Sequence, residues 1–353
     1  MKIATFLCAA LLVGGAFAQE RNALVETFTS STCPPCNGGN VHLEGLLADA
    51  ANDGKTVSIK YQMNWPGTGD PYYTAEGGSR RNFYGVTGIP YSSIDAIFTG
   101  NTTGISQSDF NDAYAVPAKV DLRAWYQIDE ATQTVDVQVD ADVLEDFSTG
   151  YRIMAAIFEY QTTANVKSNG ETQFEHVVKK MLPSATGTVI SPQTAGNSLH
   201  WDLSHTFQGS YFLPANGTDP IDHATEHSVE EFSDLGVAVW IQSLNNKEVL
   251  QAVYAFQGEY SASLEEQTSI AGMTVFPNPS MEETNIAFNS DFAQTIKLDI
   301  VDATGKVVFN ESVEATGSGH QIHTVNTSYF SEGLYTVRLT TATSSITKKL
   351  SIR

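Results

Sequence analysis

The sequence predicts a multi-domain chain, an α/β unit followed by two all-β units, and three observations carry that prediction. Strand-like and helix-like stretches alternate as far as Val116. From Pro117 the apolar residues fall on every second position with no helical pattern between them. Beyond a polar stretch that starts at Gln257, a second β pattern runs to Arg353.

The first 18 residues, MKIATFLCAALLVGGAFA, have one lysine, an apolar run from Ile3 to Val13 and small residues ending in Ala16-Phe17-Ala18. This is the layout of a cleaved secretory signal, with the cut expected after Ala18. Cys8 lies inside the apolar run behind Leu7, where a lipoprotein signal would carry a small residue. No later stretch approaches the roughly 18 apolar residues a membrane helix needs, so no transmembrane segment is expected after cleavage.

The full chain has 353 residues, 19 basic and 40 acidic, for a formal charge of -21. Removal of residues 1–18 takes away Lys2 and no acid, so the charge becomes -22. So acidic a surface repels phosphate backbones and argues against a nucleic-acid partner. At 41% hydrophobic and 17% charged the composition is that of a globular chain.

The expected organisation is a signal peptide at 1–18, an α/β domain at 19–116, a β-sandwich at 117–256, a linker at 257–268 and a C-terminal domain at 269–353. In the first domain ALVETF reads as a buried strand, GNVHLEGLLADAAND as a helix and TVSIKYQM as a second strand. That order makes a βαβ unit and sets Cys33 and Cys36 where a strand hands over to a helix. In the second domain, Val135, Val137, Val139 and Ala141 alternate with Asp136, Gln138, Asp140 and Asp142, one face apolar and the other wet. YRIMAAIFEYQ, LHWDLSHTF, LGVAVWIQSL and EVLQAVYAF continue as strands between turn residues. In the last domain Ile296, Leu298 and Ile300 alternate with Lys297 and Asp299, and DATGK supplies a hairpin turn. About 80 residues suffice for a small core.

Four short motifs in order at the C-terminus, VFPNPS, KLDIVDATGKVV, GLYTVRL and the basic pair of ITKKLSIR, resemble the sorting domain of type IX secretion. The resemblance covers residues 269–353 and implies an Ig-like β-sandwich, the secretion translocon and sorting machinery as partner, and delivery to the outer-membrane surface or the medium. Residues 22–256 resemble the outer membrane protein 28 family, whose N-terminal portion is thioredoxin-like. The motifs that carry this are ETFTSSTCPPC, NWPGTGDPYY, YGVTGIPYSSIDA, FEHVVKKMLPSATG and VWIQSLNNKEVLQAV.

The thioredoxin resemblance gives the cysteines of TSSTCPPCNGG a chemical reading. Cys33 at a helix N-terminus would have its thiolate favoured by the helix dipole and unpaired N–H groups, and Cys36, one turn on, would be the resolving thiol. Pro34 and Pro35 suit a first helical turn, where no N–H is needed. Pro90 of GVTGIP matches the cis-proline loop beside the cysteines in that fold, and Ile89 would offer its backbone to an extended protein substrate with a thiol or disulfide. One departure stands out. The buried acid six positions before the first cysteine is replaced by Thr27, and Glu26 next to it belongs on the opposite strand face.

Two readings stay open. In the first, the chain is an exported thiol–disulfide oxidoreductase working through Cys33 and Cys36. In the second, it is a non-catalytic surface binding or structural protein whose Cys33–Cys36 disulfide is a local clip, worth roughly 2 kcal/mol for so short a loop. No cofactor is expected and no metal site is assigned. His223 and His227 have the spacing of a helical ligand pair but lie in a connection rich in proline and glycine. Asp136, Asp140 and Asp142 could bind calcium, but a solvated strand face explains them more simply, and the same applies to Asp219 and Asp222. Elbow, phosphate-loop and H-E-x-x-H motifs are absent from the sequence, so hydrolase and nucleotide chemistry have no support.

Overall fold

The computed structural model describes residues 21–258, 270–290, 294–302, 304–315, 319–341 and 345–353. The signal peptide and most of the linker, 259–268, lie outside the described residues.

The chain begins with β1 (Ala23–Thr29), α1 (Pro34–Leu47), β2 (Thr56–Gln62), α2 (Ala75–Tyr84), β3 (Tyr91–Ile94), β4 (Phe98–Asn101) and α3 (Gln107–Tyr114). β1 and β2 run parallel, Ala23 opposite Thr56 through Thr29 opposite Gln62, with α1 as the crossover. β3 runs antiparallel to the other side of β1. Every residue of β1 is buried, so the strand has two covered faces. Ala23 and Val25 meet Leu43 of α1 and Phe110 and Ala113 of α3. Leu24 and Phe28 look the other way, toward Tyr61 and Tyr84. α2 is started by the Thr74 side chain accepting from the Gly77 N–H, and is ended by Gly85 in the left-handed region at φ 71°.

The middle of the chain is all β: β5 (Val120–Asp129), β6 (Thr134–Val143), β7 (Tyr151–Thr162), β8 (Phe174–Leu182), β9 (Thr188–Val189), β10 (Ser198–Thr206), β11 (Ser210–Tyr211), β12 (Glu226–His227), β13 (Leu235–Ser243), β14 (Val249–Tyr254) and β15 (Phe256–Gln257). One sheet has the order β10-β6-β5-β15. Its inner face, with Val135, Val137, Val139 and Ala141 fully buried, packs on Ile153, Ala155 and Ile157 of β7 and on Val237, Val239 and Ile241 of β13. That is the sandwich the alternating residues predict. Gln257, expected in the linker, instead pairs with Tyr126 in the short parallel strand β15.

The boundary expected at 116/117 is crossed by a sheet. β14-β13-β7-β8-β2-β1-β3-β4, with β9 beside β7, form nine strands in one sheet, and β8 joins β2 in parallel where Lys60 faces Val177. The residues explain it. β7 reads Ile153-Met154-Ala155-Ala156-Ile157-Phe158 without alternation, and all nine residues of β13 are buried. Strands apolar on both faces need cover on both. Ile153, Ala155 and Ile157 serve the sandwich core, whereas Met154, Ala156 and Phe158 share a core with Leu24, Ile59 and Tyr61.

The C-terminal part comprises β16 (Ile270–Phe276), β17 (Glu283–Ser290), β18 (Gln294–Asp302), β19 (Val307–Ala315), β20 (Gly319–Asn326), β21 (Gly333–Thr340) and β22 (Ser345–Ile352). Sheets β16-β17-β20 and β19-β18-β21-β22 enclose a core with Ile286, Phe288, Ile296, Leu298, Ile300 and Val337 at 0% exposure.

Candidate functional site

The tight turn between β1 and α1 sets the cysteines. Cys33 is the N-cap of α1 in extended conformation, Pro34 and Pro35 occupy the first helical positions, and the Cys36 N–H donates to the Cys33 carbonyl at 3.0 Å. The helix therefore starts at Pro34, earlier than the apolar pattern from Gly39 suggests, because two prolines fit its first turn without a missing bond. Cys33 and Cys36 form a disulfide with Cα atoms 5.3 Å apart. The Ile89–Pro90 peptide is cis, and the Ile89 carbonyl oxygen lies 3.7 Å from Cys33 Sγ. Gly39 allows this approach: a Cβ there would stand 2.7 Å from Pro90 Cγ.

Beneath α1, Thr27 supplies a buried hydroxyl six positions before Cys33. Its Oγ1 is 2.8 Å from Ser92 Oγ, which is 2.9 Å from Thr102 Oγ1, and all three residues are fully buried. Glu26 points to the opposite face, where Arg80 takes both carboxylate oxygens and Tyr61 and Tyr84 donate to them. Both oxygens of this carboxylate are thus engaged by donors on the face of β1 away from Thr27.

A strap formed by the β7–β8 connection closes over the motif. The N–H groups of Ser168 and Asn169 donate to the Ser31 carbonyl at 3.0 and 2.9 Å, and Asn169 Nδ2 donates to the Ser30 carbonyl at 3.2 Å. Asn37 Nδ2 donates to the Asn169 carbonyl, and Asn40 Nδ2 donates to both Thr29 Oγ1 and Glu171 Oε1. Asp70, from NWPGTGDPYY, fastens this arrangement: it accepts from the Ser31 and Tyr72 N–H groups and from Asn165 Nδ2. Burial pushes the Asp70 carboxyl up. Cys33 is 1% exposed and Cys36 0%, while Pro34 and Pro35 between them face solvent. Asp70, Asn165, Asn169 and Glu171 carry no spacing signal toward the cysteines, since Asn169 is 139 residues from Ser30.

Farther along α1 lies a second polar cluster. Glu44 is ion-paired with Lys60. Burial and the hydrogen-bonded Glu44 push the Glu175 carboxyl up to about 7, and burial with the Lys60 charge holds the His176 imidazole down at about 4. Ligand atoms of Glu44, Glu175 and His176 lie within 4.8 Å of one another, but the Lys60 ammonium, its side chain 3% exposed, already supplies their cation.

The aspartates on the sandwich strands are on the outer face: Asp142 pairs with Arg123, and Asp140 with His200. His223 and His227 are not a helical pair. His223 lies in a turn and His227 in β12, because Pro220 and the turn at Asp222–Thr225 leave no room for a helix. No helix among the described residues is long and apolar enough to cross a membrane.

Residues 274–353 match the family described as the secretion system C-terminal sorting domain. The chain thus carries a type IX sorting domain and is delivered to the cell surface or the medium. No curated protein matches the chain. Among solved structures it is similar to HBP35 of Porphyromonas gingivalis, with 15% identity, a TM-score of 0.49, and coverage of 95% of this chain and 99% of that one. Protein AGR_C_4864 from Agrobacterium tumefaciens is 16% identical, with a TM-score of 0.45 and coverage of 70% and 100%. A domain of the outer membrane lipoprotein Omp28 from Porphyromonas gingivalis is 14% identical, with a TM-score of 0.24 and coverage of 40% and 91%. These likenesses are weak and bring no activity, ligand or partner to this chain.

Proposed function

We propose that the exported protein carries an N-terminal thioredoxin-like domain, spanning about 19–116, that exchanges disulfides with protein thiols through Cys33 and Cys36. The supporting observation is the position of Cys33: it caps α1, is disulfide-bonded to Cys36 and sits 3.7 Å from the Ile89 carbonyl beside Pro90. A substrate thiolate attacks Cys33 Sγ, breaking the Cys33–Cys36 bond and releasing the Cys36 thiolate, which takes up a proton. The second substrate thiolate then attacks its own sulfur in the mixed disulfide and expels Cys33 as thiolate. The substrate dithiol is oxidised and the Cys33–Cys36 pair reduced by the same two electrons. Ile89 and Pro90 bind the extended substrate in this reading. Residues 117–256 act as the sandwich partner, and 269–353 engage the secretion translocon.

A second reading has its own support. With both cysteines shut off from solvent, the disulfide also suits a non-catalytic surface protein in which the α/β unit is a scaffold. Reduction potential and thiol labelling separate the two. A potential above about -300 mV is expected of a labile pair, and a lower one of a structural bond. After gentle reduction, limiting alkylating agent should label Cys33 before Cys36, and Cys36→Ser should trap mixed disulfides through Cys33. Equal slow labelling with no trapped species would leave the scaffold reading alone.

A further inference from the structure

Disulfide exchange through Cys33 and Cys36 leaves one proton to be placed. Cys36 is 0% exposed, so its thiolate is formed away from water, where an unpaired charge is costly, and the proton has to move to or from a group inside the fold. Cys36 and Asn40 lie on the buried stripe of α1 one turn apart, a spacing that sets their Cβ atoms about 5–6 Å from each other. Side chains on a helix tilt toward its N-terminus, so Asn40 leans back over the turn that carries Cys36. From there Asn40 Nδ2 donates to Glu171 Oε1 at 2.7 Å.

Glu171 differs from the other acids around α1. Glu44 is ion-paired with Lys60, Glu26 with Arg80 on the far face of β1, and Asp70 is fully buried and accepts from Ser31, Tyr72 and Asn165. Glu171 accepts from two neutral amides, Asn40 on one oxygen and Asn169 on the other. It is half-buried, so a proton taken up from inside can pass on to solvent. Burial pushes its carboxyl up, Lys60 of β2 draws it down and Asp70 raises it, while Glu175 of β8 is a like charge four residues on, with Glu44 and His176 grouped around Lys60. Between Cys36 and Glu171 the fold is polar. Asn40 Nδ2 also donates to Thr29 Oγ1 at 3.0 Å, and Gln62 stands opposite Thr29 on β2. Asn40 Oδ1 and both ends of the Gln62 amide are buried without hydrogen-bond partners, and such groups are what a bridging water needs.

We infer that Glu171 exchanges the proton of Cys36, with Asn40 as the positioning residue that holds it toward α1; the inference rests on the disulfide-exchange reading. When the reduced protein meets a substrate disulfide, the Cys33 thiolate bonds one substrate sulfur and the other leaves as thiolate. The Cys36 S–H proton passes to the Glu171 carboxylate, and the Cys36 thiolate attacks Cys33 Sγ. The bond between Cys33 and the substrate breaks, the second substrate sulfur leaves as thiolate, and Glu171 gives its proton to solvent. The substrate gains the two electrons that the Cys33–Cys36 pair loses. In the opposite direction protonated Glu171 supplies the proton that the released Cys36 thiolate takes up.

The test is stopped-flow absorbance of the reduced protein mixed with the aromatic disulfide dithiobis(nitrobenzoate). One thionitrobenzoate leaves as Cys33 attacks, in a phase that depends on reagent concentration, and a second leaves as Cys36 closes the disulfide, in a phase that does not. Glu171→Gln should leave the first phase unchanged and slow the second by about tenfold or more at pH 7, the gap narrowing as the pH rises above about 8.5, where a thiol ionises without a base. Asn40→Ala should slow the same phase by less. Circular dichroism checks that each variant is folded, and Asn40→Ala decides the matter if Glu171→Gln does not fold. With a normal first phase, an unchanged second phase in the folded variant, or a slowing that does not vary with pH, overturns the role of Glu171 and leaves disulfide exchange standing. Absence of a first phase in the unaltered protein overturns both.

Discussion

Glu26 on β1 and Arg80 on α2 form a two-pronged ion pair with both side chains 1% exposed: Nε donates to Oε1 at 2.8 Å and Nη2 to Oε2 at 2.7 Å. Gln242 of β13 joins them, accepting from Arg80 Nη2 at 2.6 Å, so three elements are held at one buried charge pair. Removing one partner leaves an unpaired buried ion, a loss of about 3–5 kcal/mol. Arg80→Met is expected to lose that much in chemical denaturation, and the double variant with Glu26→Gln to lose less than the two singles added. A loss under about 1 kcal/mol in Arg80→Met would mean that water reaches Glu26.

The strap should control the speed at which the disulfide is reduced. Asn165 donates to Asp70, and Asn169 to Ser30, so Asn165→Ala with Asn169→Ala removes side-chain bonds that hold it closed. At about 1 kcal/mol net per bond, reduction by dithiothreitol should quicken by about tenfold or more. Equal rates in the variant and the unaltered protein would show that access to Cys33 does not depend on the strap.

Val137 is completely buried at the centre of β6, facing β7 and β13. Val137→Asp puts an unpaired charge into that core and should cost several kcal/mol, of the order of 3 or more. Urea denaturation measures it. A cost below about 1 kcal/mol would place the residue on the wet face instead.

Acid should weaken the fold through His176. Its imidazole is held at about 4 by burial, with the Lys60 charge adding, against 6.5 ordinarily. Between those values the unfolded chain binds a proton that the folded chain refuses. The stabilisation is therefore present above pH 6.5 and is lost as the pH falls toward 4. Glu175, raised to about 7, acts in the opposite sense, its contribution falling as the pH rises, so comparison of two proteins isolates the histidine. His176→Asn suits the left-handed backbone at φ 55°. The stability advantage of the unaltered protein over this variant should shrink by about 3 kcal/mol between pH 7 and pH 4. A constant difference would mean a solvated imidazole.

The C-terminal sorting domain should be needed for export and dispensable for the rest of the fold. A chain ending at Thr268 is expected to give the same thermal transition for its sandwich core yet to stay in the periplasm, as scored by surface proteolysis. Surface delivery of the shortened chain would contradict the sorting role of residues 274–353.

Features written in neighbouring residues were legible from the sequence. Period-two alternation at Val135–Ala141 and Val237–Ile241 gave strands with the correct inner face, because in a strand successive side chains point to opposite sides. The order of strand-like and helix-like stretches sets Cys33 and Cys36 at a strand-to-helix junction, whereas the cis-proline position of Pro90 rests on a resemblance of motif. The motifs from VFPNPS onward mark a sorting domain by their resemblance to that family, and not by any chemistry of their own.

The tertiary structure decided which distant surfaces meet. An unbroken apolar strand such as β7 says that both faces are covered, but not by what, so nothing in residues 151–162 announces that β8 continues the sheet of β2 across the expected domain boundary. The same holds for Asn169 over Ser30, and for Glu76 beside His223. Polar side chains that find partners more than a hundred residues away leave no period in the sequence. Their pairing is fixed only when burial of apolar faces has set the sheets in register and left these groups without water.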